Sequence, residues 1–267
     1  MKSCGSSANR TPVTKNSATL TYAPFVDSRG KHNPDFTTGQ SGKLLIGTDA
    51  NGKKYLIKHC YPHNAANEFV GCWLAKKLDI PAPNAFLLSP NKAFQSRFAV
   101  AIEFLDLKPF DKKAVSHPDD LIAQFVLAAL IAQEDRIQLK VVDNHIVSFD
   151  FSESFCISKL DLILGLIRQH TSFAQDCAVG ILRQQLSAFQ KSLTRMKFNH
   201  PAFAQAYNLD CEEMCKTATA ISKRVLRITE NEIRFMSEEL EKLFPMEISV
   251  YYEECIFAMQ EHIKSFQ

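Results

Sequence analysis

The sequence predicts an α+β fold in two lobes, a small mixed β/α lobe followed by a large, mainly helical lobe. Two patterns support this prediction. Between residues 43 and 105, short runs of β-branched and aromatic residues are separated by turn residues. From residue 118 onwards, apolar residues mostly recur with the spacing of amphipathic helices. A length of 267 residues with 46% hydrophobic residues supplies enough material for a large core.

Changes in composition divide the chain into three regions. Residues 1–36 are rich in Ser, Thr, Asn and Lys and poor in periodic apolar positions, which indicates a flexible polar leader. Residues 37–105 are expected to form the small lobe, because the strand-like runs lie there. Residues 106–267 are expected to form the helical lobe.

A β-hairpin is predicted at the start of the small lobe. Two β-prone runs, residues 43–47 and 53–59, are joined by a segment that contains Asn51-Gly52. Asn and Gly adopt the positive φ values that tight hairpin turns require. The preceding "GQSG", residues 39–42, places two glycines in a loop before the first strand.

An amphipathic helix and two further strands complete the small lobe. The helix is expected to begin at Asn64 or Asn67, because Asn is a common helix cap, and to end before Pro81. The runs "NAFLL" and "FAVAIEFL" that follow are typical of buried strands.

The large lobe is predicted to begin with a buried helix. The stretch "DDLIAQFVLAALIAQED" opens on two acidic residues, which suit a helix N-terminus, and is apolar nearly all round. The runs "LKVV" and "HIVSFDF" then form a second hairpin across Asp143-Asn144. Thr229 and Glu232 have the spacing of a capping box. Further helices are predicted over residues 159–170, 172–196, 201–206, 211–226, 229–243 and 247–266.

Charge and composition narrow the class of function and the location. A net charge of +2 without dense Lys/Arg runs argues against direct binding to nucleic acid. The 8 cysteines are scattered without CxxC pairs, which is typical of reduced thiols. No apolar run reaches the roughly 18 residues of a membrane span, and no signal peptide is visible. We therefore expect a cytoplasmic protein; the same features fit a protein that a pathogen delivers into a host cell.

Five groups suited to phosphoryl transfer from ATP occur in order along the chain. They are the glycine-containing loop 39–42, Lys58 at a strand end, Glu68 on the next helix, Asp135 after the buried helix and Asp150 after the second hairpin. Loop N–H groups and a Lys bind phosphates, and a Glu orients the Lys. One Asp accepts a hydroxyl proton and the other holds Mg²⁺. Each residue alone is common at protein surfaces, but the shared order favours a nucleotide site.

Three stretches resemble the HipA-like kinases, a branch of the protein-kinase-like superfamily with a catalytic loop similar to that of phosphatidylinositol 3/4-kinases. "GQSGKLLIGTDANGKKYLIKH…NEFVGCWLAKKLDIPAP" resembles their N-lobe, "QEDRIQLKVVDNHIVSFDFSESF" their catalytic and metal-binding loops, and "RITENEIRFMSEELEKLFP" their closing helices. The resemblance covers about residues 39–265. It implies a bilobal protein-kinase-like fold that binds ATP and Mg²⁺, or Mn²⁺, between its lobes.

The resemblance also implies roles for individual residues. Lys58 would contact the ATP phosphates and Glu68 would pair with Lys58. Asp135 would act as the base or orient the acceptor hydroxyl, and Asp150 would bind the metal. The remaining nucleotide-binding residues would be Gly39, Gln40, Ser41 and Gly42 in the loop, and the backbone near Glu103 and Leu105 at the adenine.

The catalytic loop departs from the family pattern at two positions. Gln133 stands where the family has an Asn before the catalytic Asp, and Gln138 is nearest to a second Asn that has no match. A Gln carbonyl binds Mg²⁺ too, but its longer side chain loses more entropy on ordering. Asn144 is an alternative metal ligand, although its place in a hairpin turn also suits positive φ.

The resemblance thus implies an atypical kinase that transfers the γ-phosphoryl group of ATP to a hydroxyl, with protein Ser or Thr as the favoured acceptor. The departures in the catalytic loop leave a second interpretation, a pseudokinase that serves as a nucleotide- or protein-binding module. A lipid or small-molecule kinase is a further alternative.

Overall fold

Two sheets and eight α-helices make up the residues that the computed structural model describes, namely 14–15, 19–25, 43–59, 61–90, 92, 98–111, 117–135, 137–198 and 200–265. The first sheet contains β1 (Thr14–Lys15), β2 (Thr21–Pro24), β3 (Lys43–Thr48), β4 (Lys54–His59), β5 (Ala85–Leu88) and β6 (Ala99–Glu103). The second contains β7 (Lys108–Pro109), β8 (Gln138–Val142) and β9 (His145–Phe149). The helices are α1 (Pro62–Lys77), α2 (Pro118–Leu130), α3 (Leu160–Ile167), α4 (Ser172–Arg195), α5 (Pro201–Ala206), α6 (Cys211–Ser222), α7 (Glu230–Glu241) and α8 (Met246–Lys264). This order confirms the predicted α+β class, with a sheet-containing first part and a mainly helical second part.

The first sheet places β4 in its interior, between β3 and β6. Its strand order is β1-β5-β6-β4-β3-β2, and neighbours are antiparallel apart from β1 and β5. Asp49 closes the β3–β4 turn, because its Oδ1 accepts hydrogen bonds from the N–H groups of Asn51 and Lys53, each 3.0 Å long. Gly52 has a φ of 79°, so the predicted positive-φ turn residue is confirmed there.

Helix α1 covers one face of this sheet. Leu87, Val100 and Ile102 point to that face and join α1 in the main hydrophobic core, which continues into the helical part. Tyr55 and Ile57 point to the opposite face, where they form a smaller core. Because side chains alternate along a strand, the residues between them in β4 are directed towards α1.

The two strands β1 and β2 lie in the region that the sequence predicts as a flexible leader. Thr21–Pro24 pairs with β3 at one edge of the sheet, and Thr14–Lys15 pairs with β5 at the other. Leu20 packs on Tyr55 and Ile57 with 6% of its surface exposed. Edge strands need backbone pairing on one side only, so a polar composition is compatible with them. The apolar pattern was too sparse to predict either strand.

Residues 104–107 connect the two sheets. Strand β6 ends at Glu103, and β7 pairs with β8 in the second sheet through Lys108 and Val141. The N–H of Phe104 donates to the carbonyl of Lys54 over 3.1 Å, which keeps the start of the connection against β4.

The helices of the second part agree with the predicted ones to within a few residues, except that the predicted helix 211–226 ends at Ser222 and continues as a 3-10 turn, Lys223–Arg227. The capping box is confirmed, since Thr229 Oγ1 accepts from the N–H of Glu232 (3.3 Å) and Glu232 Oε2 accepts from the N–H of Thr229 (2.9 Å). Among the described helices, none has the length and apolarity needed to cross a lipid bilayer.

Helix α1 begins earlier than the sequence predicts. It starts at Pro62, a residue type that suits the first turn because it lacks an N–H, rather than at Asn64 or Asn67. Both asparagines therefore lie inside the helix, where they are almost fully buried. Their side chains bind the segment that follows β9 instead of capping the helix.

Candidate functional site

Three residues from separate parts of the chain meet at one point between the sheet and the helical part. Lys58 Nζ contacts a carboxylate oxygen of Glu68 and lies 2.7 Å from Oδ1 of Asp150. Lys58 is 8% exposed and Glu68 is fully buried. The predicted Lys58–Glu68 pair is therefore present in the structure, and the predicted metal ligand Asp150 shares the same lysine.

The fold explains this meeting. Lys58 follows Ile57 in β4, so the alternation of the strand directs its side chain to the α1 side of the sheet. Glu68 lies in the second turn of α1, and Asp150 follows directly after β9. Strand, helix and hairpin each supply one charged group.

The three groups shift one another's pKa values. Burial alone would lower the pKa of Lys58, but the negative charges of Glu68 and Asp150 outweigh it and raise that pKa. Burial would raise the pKa of Asp150, but Lys58 overrides it and lowers that pKa, so the carboxylate is ionised at neutral pH. Burial raises the pKa of Glu68, and Lys58 opposes this shift.

Two further side chains contact the carboxylate of Asp150. Gln138 Nε2 donates to Oδ2 over 2.9 Å, and Ser152 Oγ donates to Oδ1 over 3.1 Å. Asp150 has a φ of 70°, in the left-handed region that Asp and Asn adopt more readily than most other non-glycine residues.

The loop before β8 is tied to the segment after β9. Gln133 Nε2 donates to the carbonyl of Asp150 over 3.2 Å, and the N–H of Glu134 donates to the carbonyl of Glu153 over 2.9 Å. Asp135 follows in this loop and is exposed. Within the described chain, its carboxylate has no hydrogen-bond or ion-pair partner. The structure therefore brings together Lys58, Glu68, Asp150 and Gln138. Asp135 makes no polar contact with these four residues.

Other predicted site residues have different positions. Gly39, Gln40, Ser41 and Gly42 lie outside the described residues, so their phosphate-binding role stays a prediction. The carboxylate of Glu103 accepts from Asn84 and pairs with Lys53, both at 2.5 Å, and therefore fastens the end of β6. Leu105 is half-buried in the connection between the sheets. The contact of this backbone with adenine also stays a prediction.

Asn144 does not belong to the site. It occupies the β8–β9 turn with a φ of 69° next to Asp143 with a φ of 48°. Asp150 is at the other end of the hairpin, where Gln138 pairs with Phe149. A five-residue strand spans about 15 Å. The alternative of Asn144 as a metal ligand is therefore wrong, because the residue forms the turn.

The donor groups fit a magnesium ion that is bound together with a nucleotide. Asp150 offers an ionised carboxylate with 29% of its side chain exposed, and Gln138 offers an amide next to it. No group of three or more His, Cys, Asp or Glu in the described chain forms a metal cluster. Mg²⁺ commonly binds through one or two carboxylates, substrate phosphates and water, so this oxygen donor set suits it.

Gln133 and Ser152 contact Asp150 although the sequence pattern predicts a role for neither. Gln133 was singled out only as a departure from the family pattern, which placed it at the correct loop. Ser152 follows the strand by a few residues and had no sequence signal, since a Ser in such a turn is common.

Several solved structures are similar to this chain in fold. A Helicobacter pylori proinflammatory kinase, CtkA, is 13% identical, with 95% of this chain and 99% of that one covered and a TM-score of 0.49. HipA from a Shewanella oneidensis toxin–antitoxin complex with HipB and operator DNA is 10% identical, with 95% of this chain and 65% of that one covered and a TM-score of 0.39. A Leishmania major MAP kinase is 10% identical, with 92% of this chain and 82% of that one covered and a TM-score of 0.25. No family model and no curated protein matches the chain.

All three have identities of 10–13% and TM-scores below 0.5. The function proposed for this chain depends on the side chains around Lys58.

Proposed function

We propose that this protein is an ATP- and Mg²⁺-dependent phosphotransferase that transfers the γ-phosphoryl group to a hydroxyl. The contact of Lys58 with both Glu68 and Asp150 is the observation that supports this proposal. A structural ion pair needs only one carboxylate. A buried lysine with two carboxylates, one of them reaching the surface, is the arrangement that binds phosphate oxygens and a divalent cation side by side.

Each residue has a role in this proposal. Lys58 binds phosphate oxygens of ATP, and Glu68 keeps its ammonium group in place. Asp135 accepts the proton of the acceptor hydroxyl while a new bond forms between the hydroxyl oxygen of the acceptor and the γ-phosphorus. The bond from that phosphorus to the β-phosphate oxygen breaks, and ADP leaves with the electron pair.

Asp150 and Gln138 hold the metal in this proposal. Mg²⁺ neutralises charge on the transferring phosphates when it is bound. Asp150 is kept ionised by Lys58, so it is ready to bind a cation. The Gln138 amide donates its N–H₂ to Asp150, and a half-turn of that amide would direct its carbonyl oxygen to the same place.

Protein Ser or Thr is the first acceptor to test, because the sequence stretches around the site resemble HipA-like kinases. Lipid or small-molecule hydroxyls are the second. The exposed position of Asp135 is compatible with all three, since it leaves the carboxylate open to an acceptor from solvent.

A specific contact favours a second candidate function, a nucleotide-binding module without transfer. Gln138 Nε2 donates to the Asp150 oxygen that is not paired with Lys58. If this hydrogen bond persists with nucleotide present, the metal has a weaker site and transfer is lost.

Phosphate transfer from radiolabelled ATP, to the protein itself or to a generic protein substrate, tests the proposal. Asp135→Ala is expected to reduce transfer by about 100-fold or more, the usual contribution of a general base. Glu134→Ala is the matched control, because it removes the adjacent exposed acid and leaves the N–H of residue 134 to bind Glu153. Thermal stabilisation by Mg²⁺–ATP without transfer would instead support the binding module. Neither stabilisation nor transfer would contradict both.

A further inference from the structure

One stripe of helix α1 is buried against the segment that carries Asp150. Asn64, Asn67, Glu68 and Gly71 recur at helical spacing and are all buried. A buried stripe of this kind is normally apolar, yet three of these residues are polar and the fourth has no side chain. Asn64 and Asn67 donate hydrogen bonds to residues 152–154. Glu68 binds Lys58, which also pairs with Asp150, and Gly71 faces Phe151.

Asn67 binds the backbone of this segment twice. Its Nδ2 donates to the carbonyls of Ser152 (2.6 Å) and Ser154 (3.0 Å). These carbonyls lie just beyond Asp150, so the two hydrogen bonds fix the path of the chain as it leaves that residue. The helix that supplies Glu68 to Lys58 therefore also holds the main chain next to the second carboxylate.

Gly71 allows the segment to approach the helix closely. A Cβ at this position would lie 2.9 Å from the Cβ, Cγ and Cδ2 atoms of Phe151, which real Cβ atoms essentially never do. Phe151 is fully buried and directly follows Asp150. A methyl group at residue 71 would therefore displace Phe151 and move Asp150 with it.

Helix α8 contacts both Asn67 and the segment that follows Asp150. Tyr252 Oη donates to Oδ1 of Asn67 over 2.6 Å, which orients the amide so that its N–H₂ faces the segment. Tyr251 Oη donates to the carbonyl of Phe155, and the rings of Phe155 and Tyr252 are in edge contact with centroids 5.3 Å apart. Both tyrosines are buried.

We infer that Asn67, Gly71 and Tyr252 are positioning residues that set the place of Asp150, and that α8 thereby controls the metal-dependent step. This inference rests on the proposed phosphotransfer function. We name Asn67 and Gly71 on α1 with Tyr251 and Tyr252 on α8 the α1–α8 clamp. The clamp acts through the main chain of residues 150–155.

Tyr252→Phe tests the clamp with a change of one hydroxyl group. Loss of the hydrogen bond to Asn67 is expected to speed amide hydrogen exchange in residues 150–156 by about fivefold or more. The Mg²⁺ concentration for half-maximal transfer should rise by a similar factor, while ATP binding without metal stays unchanged because Lys58 and Glu68 remain in contact. Tyr55→Phe is the control, since it removes a hydroxyl that binds Asp49 in the first sheet.

Gly71→Ala tests the close approach independently. Alanine stabilises helix interiors relative to glycine, so a weaker metal response cannot come from loss of helix propensity. Gly180→Ala makes the same exchange in α4, where a new Cβ meets no atom within 4 Å. We expect Gly71→Ala to raise the Mg²⁺ requirement by about tenfold, as for a displaced catalytic group. Gly180→Ala should leave it unchanged.

The results that would contradict the clamp differ from those that would contradict the proposed phosphotransfer function. Equal exchange rates and equal Mg²⁺ requirements in Tyr252→Phe and Tyr55→Phe would overturn the clamp. If Gly71→Ala does not fold, the comparison of the two tyrosine variants still decides. A wild-type protein without transfer would contradict the proposed function, and hydrogen exchange in residues 150–156 would then decide for or against the clamp.

Discussion

At the residue scale, Lys58 is the centre of the site. Burial alone favours the neutral form of a lysine, but two carboxylates keep this one charged. In turn, Lys58 keeps Asp150 ionised while 29% of that side chain still reaches solvent. The same ammonium group therefore balances a buried carboxylate and prepares an accessible one for a cation.

Lys58→Met should abolish most phosphate transfer and change the alkaline pH dependence of stability. We expect transfer to fall by about 100-fold or more, as when one preorganised donor to a transition state is removed. Because the folded-state pKa of Lys58 lies above its ordinary value of 10.5, the ion pairs contribute fully below pH 10.5 and their contribution is lost as pH rises through the folded pKa. Urea unfolding across this range measures the effect.

Lys54→Met is the control for that variant, because Lys54 is an exposed lysine of the same strand. The difference in unfolding free energy between wild type and Lys58→Met should shrink above pH 10.5. A difference that does not change above this pH would show that Lys58 is not held in charged form by its partners.

At the element scale, local signals and long-range contacts differ in how well the sequence predicts them. Helix periodicity and the Thr229–Glu232 capping box depend on residues close in sequence, so their positions were predicted well. Strand β2 depends on pairing with a partner more than twenty residues away, and a polar edge strand has little periodic signal of its own. The start of α1 was misplaced because buried asparagines resemble helix caps in sequence.

Thr229→Ala should destabilise the protein through the N-terminus of α7. The loss of a capping box costs about 1 kcal/mol, which lowers Tm by about 2–4 °C in a chain of this size. Thr219→Ala is the matched control, because its hydroxyl only donates to the Cys215 carbonyl inside α6. Calorimetry should show that Thr219→Ala changes the free energy of unfolding by no more than about 0.5 kcal/mol. Equal effects of both changes would contradict the role of the cap.

The site itself was predicted only in part. Lys58, Glu68 and Asp150 could be singled out because each stands at the end or on the face of a predicted element. Gln138 was selected from the family pattern, and the structure places it on Asp150. The contact of Tyr252 with Asn67 joins residues 185 positions apart, and no single-sequence pattern specifies such a pair. Packing of α8 on α1 creates it.

At the scale of the whole molecule, α1 is fastened to the helical part as well as to the sheet. Lys77 Nζ pairs with Glu232 over 2.6 Å, and Arg224 donates to the carbonyl of Leu78 over 2.7 Å at the end of α1. Tyr252 holds the same helix near its middle. Helix α1 is therefore fixed with Glu68 against Lys58.

The transfer of phosphate from radiolabelled ATP by Asp150→Asn, compared with Asp143→Asn, tests the central claim most directly. Both changes remove one carboxylate from the same hairpin, and Asn tolerates the positive φ of either position. The proposal predicts that Asp143→Asn transfers phosphate at the wild-type rate and that Asp150→Asn loses about 100-fold or more. Transfer by Asp150→Asn at the wild-type rate would contradict the proposal. No transfer by the wild-type protein would also contradict the proposal.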